Sequence, residues 1–349
     1  MLLLLPEDHQ NLITMAEAIE AVAESFRQMA ENRSWNAPRR RIHSPANVRV
    51  GVHQGAVPSL GMTGLMTHTE KVGIFKEIQR YLHRAAPVHI LFDAESGHLE
   101  GIIVGELSCQ EVEADAIVAL RTAANSAVGT QCLARPDSQT LGLFGSGGQA
   151  RNHLVAFCQV RPLQRVQVYS RSAEHRKAFC EAMQPKVEAE LIPVNSPEEA
   201  VRGADIVLTA TNSNVAVFSG DWLEEGSHVT SIVASNVGLV RAGFISERRR
   251  ELDDRTIQRA QVVAANSREQ AQQDEQGDLW IPVQKGLLEW EEVVELSDLL
   301  AGRHPGRQSP SQITVFKNNG GQGITDVALA SAVFQKARAL GRGLVLDIS

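Results

Sequence analysis

The chain has 349 residues, 43% of them hydrophobic and 21% charged, which allows large buried cores and suits about two domains. Its net charge of −7 argues against nucleic acid or an anionic membrane as the main partner, and the basic runs at 39–41 and 248–250 are short enough to be solvated surface. Cys109, Cys132, Cys158 and Cys180 form no C-x-x-C pair, a usage that fits a reducing, cytoplasmic setting better than secretion.

Residues 1–6 are apolar but lack a basic flank, sufficient length and a cleavage site, so they read as a short strand, neither a signal peptide nor a membrane span. Residues 14–32 have helical apolar spacing, with Thr14 as N-cap and Glu17 completing a capping box. A loop-rich region containing Pro38, Pro45 and Pro58 follows. Segments 88–92 and 102–104 are expected strands around the turn 93–97, and a helix is expected from about 109 to 133.

The apolar run 140–144 leads into Gly145, Ser146, Gly147, Gly148, Gln149 and Ala150, and then into a helical segment, 149–160. Strand, glycine turn and helix form the context in which G-x-G-x-x-(G/A) binds a dinucleotide. Gly145 allows the tight turn, Gly147 lets backbone approach the pyrophosphate, and Ala150 lets helix and strand pack closely. Unpaired amides at the helix N-terminus then face the phosphates.

Beyond this motif, strands and helices alternate. Segments 166–169, 190–194, 205–210, 228–234, 261–265 and 313–318 are the expected strands. Helices are expected at 173–183, after Ser196, Pro197 and Glu199, and at 325–340. The alternation predicts an α/β chain with a Rossmann-type, doubly wound parallel sheet over 125–318. It is inserted between the N- and C-terminal parts of a second, α+β substrate domain, 1–124 plus 319–349. A substrate cleft is expected between the two. No metal-ligand cluster is evident.

At the end of the second nucleotide-domain strand, where an NAD site usually carries an acid, the chain has Ser170, Arg171 and Ser172. A hydroxyl followed by a guanidinium suits a 2′-phosphate, and Arg176 and Lys177 add positive charge one helical turn on. NADP(H) is therefore favoured. Glu174, a candidate ribose partner, keeps NAD(H) open.

Arg121 to Ala124, the turn at 145–150, and the segments 204–207, 209–211, 226–229, 251–253, 277–279 and 313–317 occur in one order along the chain. In this they resemble the ornithine cyclodeaminase/mu-crystallin family over nearly the whole length. The resemblance implies a homodimer, with the split domain serving dimerisation as well as substrate binding, and small imino or amino acids as substrates. It implies that Arg121 grips the substrate carboxylate, with Arg41 as a second arginine (Arg39 in a shifted register). It also brings Thr122, Thr209, Ala210, Thr211 and Asp326 to the cofactor.

Two departures stand out. The stretch 61–68 has no lysine where the family has one; Lys71 and Lys76, a little further on, are the candidates to replace it, and Lys71 joins His68 as the candidate catalytic pair. Ser235 and Asn236 stand near the position of the family's water-activating aspartate and are expected to hydrogen-bond substrate or nicotinamide. His43, His53 and His68 are the candidate proton donors near pH 7, with His68 the one preferred. The expectation is an NAD(P)-dependent oxidoreductase on the C–N bond of a small imino or amino acid. The alternatives are an ornithine or lysine cyclodeaminase, or a non-catalytic NADP(H)-bound protein of mu-crystallin type.

Overall fold

The computed structural model describes residues 1–75, 78–113, 116, 118–241, 243 and 245–347. The chain packs as two units, one of Met1–Ala124, Gly238–Ser246 and Gly321–Ser349, the other of Asn125–Val237 and Glu247–Gly320. Segment Gly238–Ser246, which the sequence reading keeps within the central stretch, thus packs with the first unit. There Leu239 and Ile245 bury against Val72.

In chain order, the strands of the first unit are β1 (Leu2–Leu4), β2 (Trp35–His43), β3 (Val48–Val57), β4 (Met62–Phe75), β5 (Ile78–Arg84), β6 (Val88–Asp93) and β7 (Leu99–Val104), with β16 (Leu344–Val345) near the end. They form a mixed sheet in the order β16-β1-β7-β6-β4-β3-β2, with β5 also paired to β4. The expected loop-rich region is therefore mostly strand. Its prolines punctuate the sheet: Pro38 sits at an irregularity in β2, the strand at the end of the order, and Pro58 opens the turn after β3. The strands escaped notice because β3 turns Arg49, Gly51, His53, Gly55 and Val57 inward, so no apolar alternation marks its buried face.

That face is covered by the helix Gly323–Ala339, which also packs on the helix Met15–Ala30. Thr14 caps the latter helix as its spacing predicts, accepting from the Glu17 amide at 3.2 Å. The helix expected from about 109 begins only at Ala119; Cys109 instead bridges to Ile13.

The second unit holds β8 (Thr140–Phe144), β9 (Arg165–Tyr169), β10 (Glu190–Pro193), β11 (Ile206–Thr209), β12 (His228–Ser231), β13 (Val262–Ala265), β14 (Val293–Glu295) and β15 (Thr314–Lys317). They form a parallel sheet in the order β10-β9-β8-β11-β12-β15-β13-β14. Short apolar runs such as Ile206–Thr209 are buried on both faces, as a parallel sheet flanked by helices requires. The chain leaves β8 towards β9 and β10 on one side and returns to β11 on the other. The carboxyl ends of β8 and β11 therefore mark the switch point at which such sheets bind ligands.

Candidate active site

The glycine turn lies at that switch point. Gly145 has φ +120°, donates its amide to the Tyr169 carbonyl at 2.9 Å, and leaves no room for a side chain: a Cβ there would sit 2.3 Å from the Ala210 carbonyl oxygen. Gly147, the N-cap of the helix Gly148–Val160, is the opposite case. It is exposed, and a Cβ on it would meet nothing within 4 Å. Ser146, Gly148 and Gln149 are half-buried and Ala150 is fully buried, so the helix seats tightly while its first amides stay at the surface. An open cradle at a helix N-terminus fits a pyrophosphate.

At the end of β9, Ser170 donates to the Ser172 carbonyl at 2.9 Å, and Ser172 caps the helix Ala173–Met183. Arg171 is exposed there. Arg176 is buried; it donates to the Ser170 carbonyl at 3.1 Å and to Asn195 Oδ1 at 2.9 Å. It braces the loop from below instead of extending the basic surface.

Behind the strand ends lies a buried polar network in which Thr209 and Thr211 take part. Glu251 accepts from Thr209 Oγ1 at 3.0 Å and from the Thr211 amide and hydroxyl at 2.8 and 2.6 Å. It also accepts from the Val233 amide at 3.0 Å. Asp278 accepts from the Glu251 and Leu252 amides, and at 2.6 Å from Lys317 Nζ; both side chains of that ion pair are fully buried. Lys317 donates further to Ser231 Oγ and the Val233 carbonyl. Burial pushes the Asp278 carboxyl up, but the Lys317 charge and these hydrogen bonds outweigh it and hold it below its ordinary value. Glu251 is raised by burial. Ser235 and Asn236 serve the same framework: Ser235 donates to the Asp274 carbonyl, while Asn236 bonds the Glu247 carbonyl and the Arg249 amide.

The first unit carries a charged cluster of its own. Two glycines let the helix Gly323–Ala339 touch β3: a Cβ on Gly323 would lie 1.9 Å from the Gln54 carbonyl oxygen, and one on Gly55 2.4 Å from Gly323 backbone. The approach seats Asp326, in the first turn, against the inward face of β3. Its Oδ2 takes a 2.8 Å bond from His53 Nδ1 and its Oδ1 a 3.0 Å bond from Arg121 Nε. Burial alone would raise the Asp326 carboxyl, but the Arg121 charge and the His53 bond hold it well below the usual carboxylate range. Burial lowers His53 to about 4, overriding the pull of Asp326. The neutral ring donates through Nδ1, so Nε2 is left as acceptor; it is buried and has no partner. Arg39 is buried beside it. A small cavity is lined by Arg121 and Asp326 together with His89, Glu106, Val118 and Leu329, and burial pushes the Glu106 carboxyl up to about 7.

Residues 2–341 match the model of the ornithine cyclodeaminase/mu-crystallin family. The chain belongs to that family. It is 28% identical to a Δ(1)-pyrroline-2-carboxylate reductase of Bacillus cereus over 349 residues, covering 98% of each chain. Among solved structures, it resembles the Thermococcus litoralis Δ(1)-pyrroline-2-carboxylate reductase in complex with NADH and L-proline, with a TM-score of 0.83 and 28% identity over 99% of this chain and 100% of that one. It also resembles an archaeal alanine dehydrogenase dimer with bound NAD, with a TM-score of 0.81 and 25% identity over 100% and 99% of the two chains.

Within this family member, the residues picked out by sequence divide into those placed at a candidate site and those spent on structure. Arg121 and Asp326 come together in the first unit, where Asp326 braces the arginine. Thr122 Oγ1 donates to the Val118 carbonyl at 2.8 Å, and Ala210 donates its amide to the Phe144 carbonyl at 2.8 Å. Of the two arginines in question, Arg39 is buried beside His53, while Arg41 is half-buried further along β2.

The candidate catalytic pair does not assemble. Lys71 donates to the Ala46 carbonyl in a turn, and Lys76 lies outside the described residues. His68 lies edge-on to His53, with ring centroids 5.9 Å apart, and its nearest carboxylate, Glu70, is 3.9 Å away. Burial lowers His68 to about 3, and among the described residues no carboxylate within hydrogen-bond reach orients its ring. Sequence reasoning ranked His53 with His43 and His68 as a candidate proton donor without singling it out, because its partner stands 273 positions later and no local spacing links the two. The Glu251, Asp278 and Lys317 network was equally hidden, although its residues lie in segments that carry the family likeness. Among the described residues, no group of three or more His, Cys, Asp or Glu side chains is arranged to hold a metal ion.

Proposed function

We propose that the chain is an NAD(P)-dependent oxidoreductase interconverting C=N and CH–NH in a small imino or amino acid. The observation that carries this reading is the presence in one chain of an open glycine cradle at a parallel-sheet switch point and a buried, carboxylate-braced arginine. With Arg121 Nε committed to Asp326, its two terminal nitrogens form the planar fork that grips a substrate carboxylate. The names of the Bacillus and Thermococcus relatives support an imine reductase; that of the archaeal neighbour supports an amino acid dehydrogenase. When bound, the nicotinamide supplies or accepts the hydride. Gly145 to Ala150 hold the pyrophosphate, and Thr209 to Thr211 shape the adjoining strand end.

NADP(H) is the preferred cofactor on this reading, because the exposed guanidinium after β9 is Arg171 and no acid stands at the turn. Glu174, exposed in the next helical turn, is the feature that favours NAD(H), and the two solved neighbours hold NADH and NAD. Arg171→Ala weakens NADPH binding at least tenfold more than NADH binding; equal losses in fluorescence titrations would refute the preference.

The reading includes a cytoplasmic homodimer. No helix among the described residues is long and apolar enough to cross a membrane, and no cysteine among them is joined in a disulfide. Trp35 and Ile42 of β2 are 58% and 71% exposed, an apolar surface suited to a second copy. Trp35→Glu is expected to yield a monomer in analytical ultracentrifugation.

The decisive experiment incubates the protein with NADPH or NADH and a panel of cyclic and linear imino acids, Δ(1)-pyrroline-2-carboxylate among them, while following nicotinamide absorbance. Oxidation with any of them supports the enzyme. Cofactor binding with no turnover supports a mu-crystallin-type binder. Conversion of ornithine with release of ammonia supports a cyclodeaminase.

A further inference from the structure

We propose that His53, held by Asp326, is the group that takes the proton from the substrate nitrogen and returns it. The proposal rests on the oxidoreductase reading and adds to it the identity of the acid–base residue. Among the described residues, His53 is the histidine that combines a carboxylate on one ring nitrogen with a buried, unpartnered second nitrogen. His153 has both nitrogens satisfied, by Gln149 and Ser126, and the closest carboxylate to His68 lies beyond hydrogen-bond reach. His89 Nδ1 is also unpartnered, but no carboxylate bonds its ring.

A glycine packs beside Nε2. A Cβ on Gly321 would lie 2.9 Å from His53 Nε2 and 2.6 Å from Arg39 Nη1. Only a residue without a Cβ lets the backbone come this close to both groups. Asp326 also bonds Arg121, so one carboxylate fixes both the carboxylate clamp and the base, as needed to address two groups of one α-amino acid.

The neutral ring, with Nδ1–H on Asp326, offers a lone pair at Nε2. In the oxidative direction, the protonated amine gives one proton to Nε2. The Cα–H bond then breaks, its electron pair leaving as hydride to NAD(P)⁺, while the nitrogen lone pair forms the C=N bond. In the reductive direction, the iminium carbon accepts hydride from NAD(P)H and its π pair becomes the nitrogen lone pair, to which the imidazolium returns the proton. Asp326 stabilises that imidazolium and keeps its orientation, which makes it a positioning residue.

The test uses the full chain saturated with reduced nicotinamide cofactor and compares L-proline with cyclopentanecarboxylate, which has the same ring and carboxylate but no nitrogen. By calorimetry, His53→Phe loses about tenfold in affinity for L-proline and stays within twofold for cyclopentanecarboxylate, whereas Arg121→Ala weakens both. In turnover with Δ(1)-pyrroline-2-carboxylate, His53→Phe lowers kcat about a hundredfold or more. His53→Gln, which keeps a polar atom towards Asp326, repeats both measurements should the phenylalanine variant not fold. Equal affinity losses for the two ligands, no loss for either, or a kcat within threefold of wild type in a folded variant would overturn the proposal. Wild-type protein that binds both ligands but turns over no imino acid defeats the oxidoreductase reading instead, and the ligand comparison still reports the nitrogen contact.

Discussion

Gly145 and Gly147 stand two residues apart in one motif, yet they are glycines for different reasons. At Gly145 the backbone has φ +120° and a neighbouring carbonyl occupies the place of a Cβ, so the position is set by the fold. At Gly147 φ is −96° and the space is empty, so nothing in the protein itself demands glycine. Gly145→Ala is therefore expected to destabilise the protein by roughly 2–5 kcal/mol, since strain and overlap add. Gly147→Ala should leave the urea midpoint almost unchanged while weakening NADPH or NADH binding tenfold or more. Urea titrations with and without cofactor separate the two; a Gly147→Ala variant that binds normally would remove the pyrophosphate from this turn. Both glycines were legible as a motif, but their separate causes were not, because the carbonyl that excludes a Cβ at 145 belongs to Ala210 on another strand.

Lys317 on β15, Ser231 on β12 and the Thr209 end of β11 are tied through Asp278 and Glu251, so the element that matters here is the row of strand ends. A fully buried lysine persists only because its charge is met at 2.6 Å and its remaining protons find Ser231 and the Val233 carbonyl. Lys317→Met leaves Asp278 buried with an uncompensated charge, and a loss of about 3–5 kcal/mol is expected in urea denaturation. Adding Asp278→Leu should recover part of that loss; full additivity would show that the pair is not coupled. The strands of this sheet were legible from their apolar runs, because a parallel sheet buries both faces. Strands β2 to β5 were not, since an inward face of Arg49, Gly51, His53 and Gly55 erases the alternation by which a half-buried strand is known.

Across the whole molecule, the chain crosses between its two units at 124/125, 237/238, 246/247 and 320/321, so neither unit is one continuous segment. A fragment of residues 1–124 lacks the helix Gly323–Ala339, which covers β3 and β4 and supplies Asp326. It is expected to show no cooperative urea transition, and a sharp one would contradict this account of the core. Acid sensitivity is also a property of the whole. Burial holds His53, His89 and His153 near 4, and His228 well below its ordinary value. Because the unfolded chain takes up these protons first, their stabilisation is complete above pH 6.5 and is lost as the pH falls towards 4, by at most about 1.4 kcal/mol per pH unit for each histidine. Glu106, raised to about 7, acts in the opposite direction, its stabilisation growing as the pH falls from 7. The buried histidines, His68 among them, outnumber the glutamates raised by burial, so the urea midpoint should be lower at pH 5 than at pH 7, and Glu106→Gln should deepen that fall. By itself, the order of residues determined the dinucleotide turn, the alternation behind it and the family likeness, because each is written in local spacing. Only the tertiary structure decided that Asp326 joins His53 to Arg121, that Arg176 and Asn236 are braces, and that Lys71 turns to a backbone carbonyl. A contact between residues hundreds of positions apart has no spacing to read; packing alone brings such groups together.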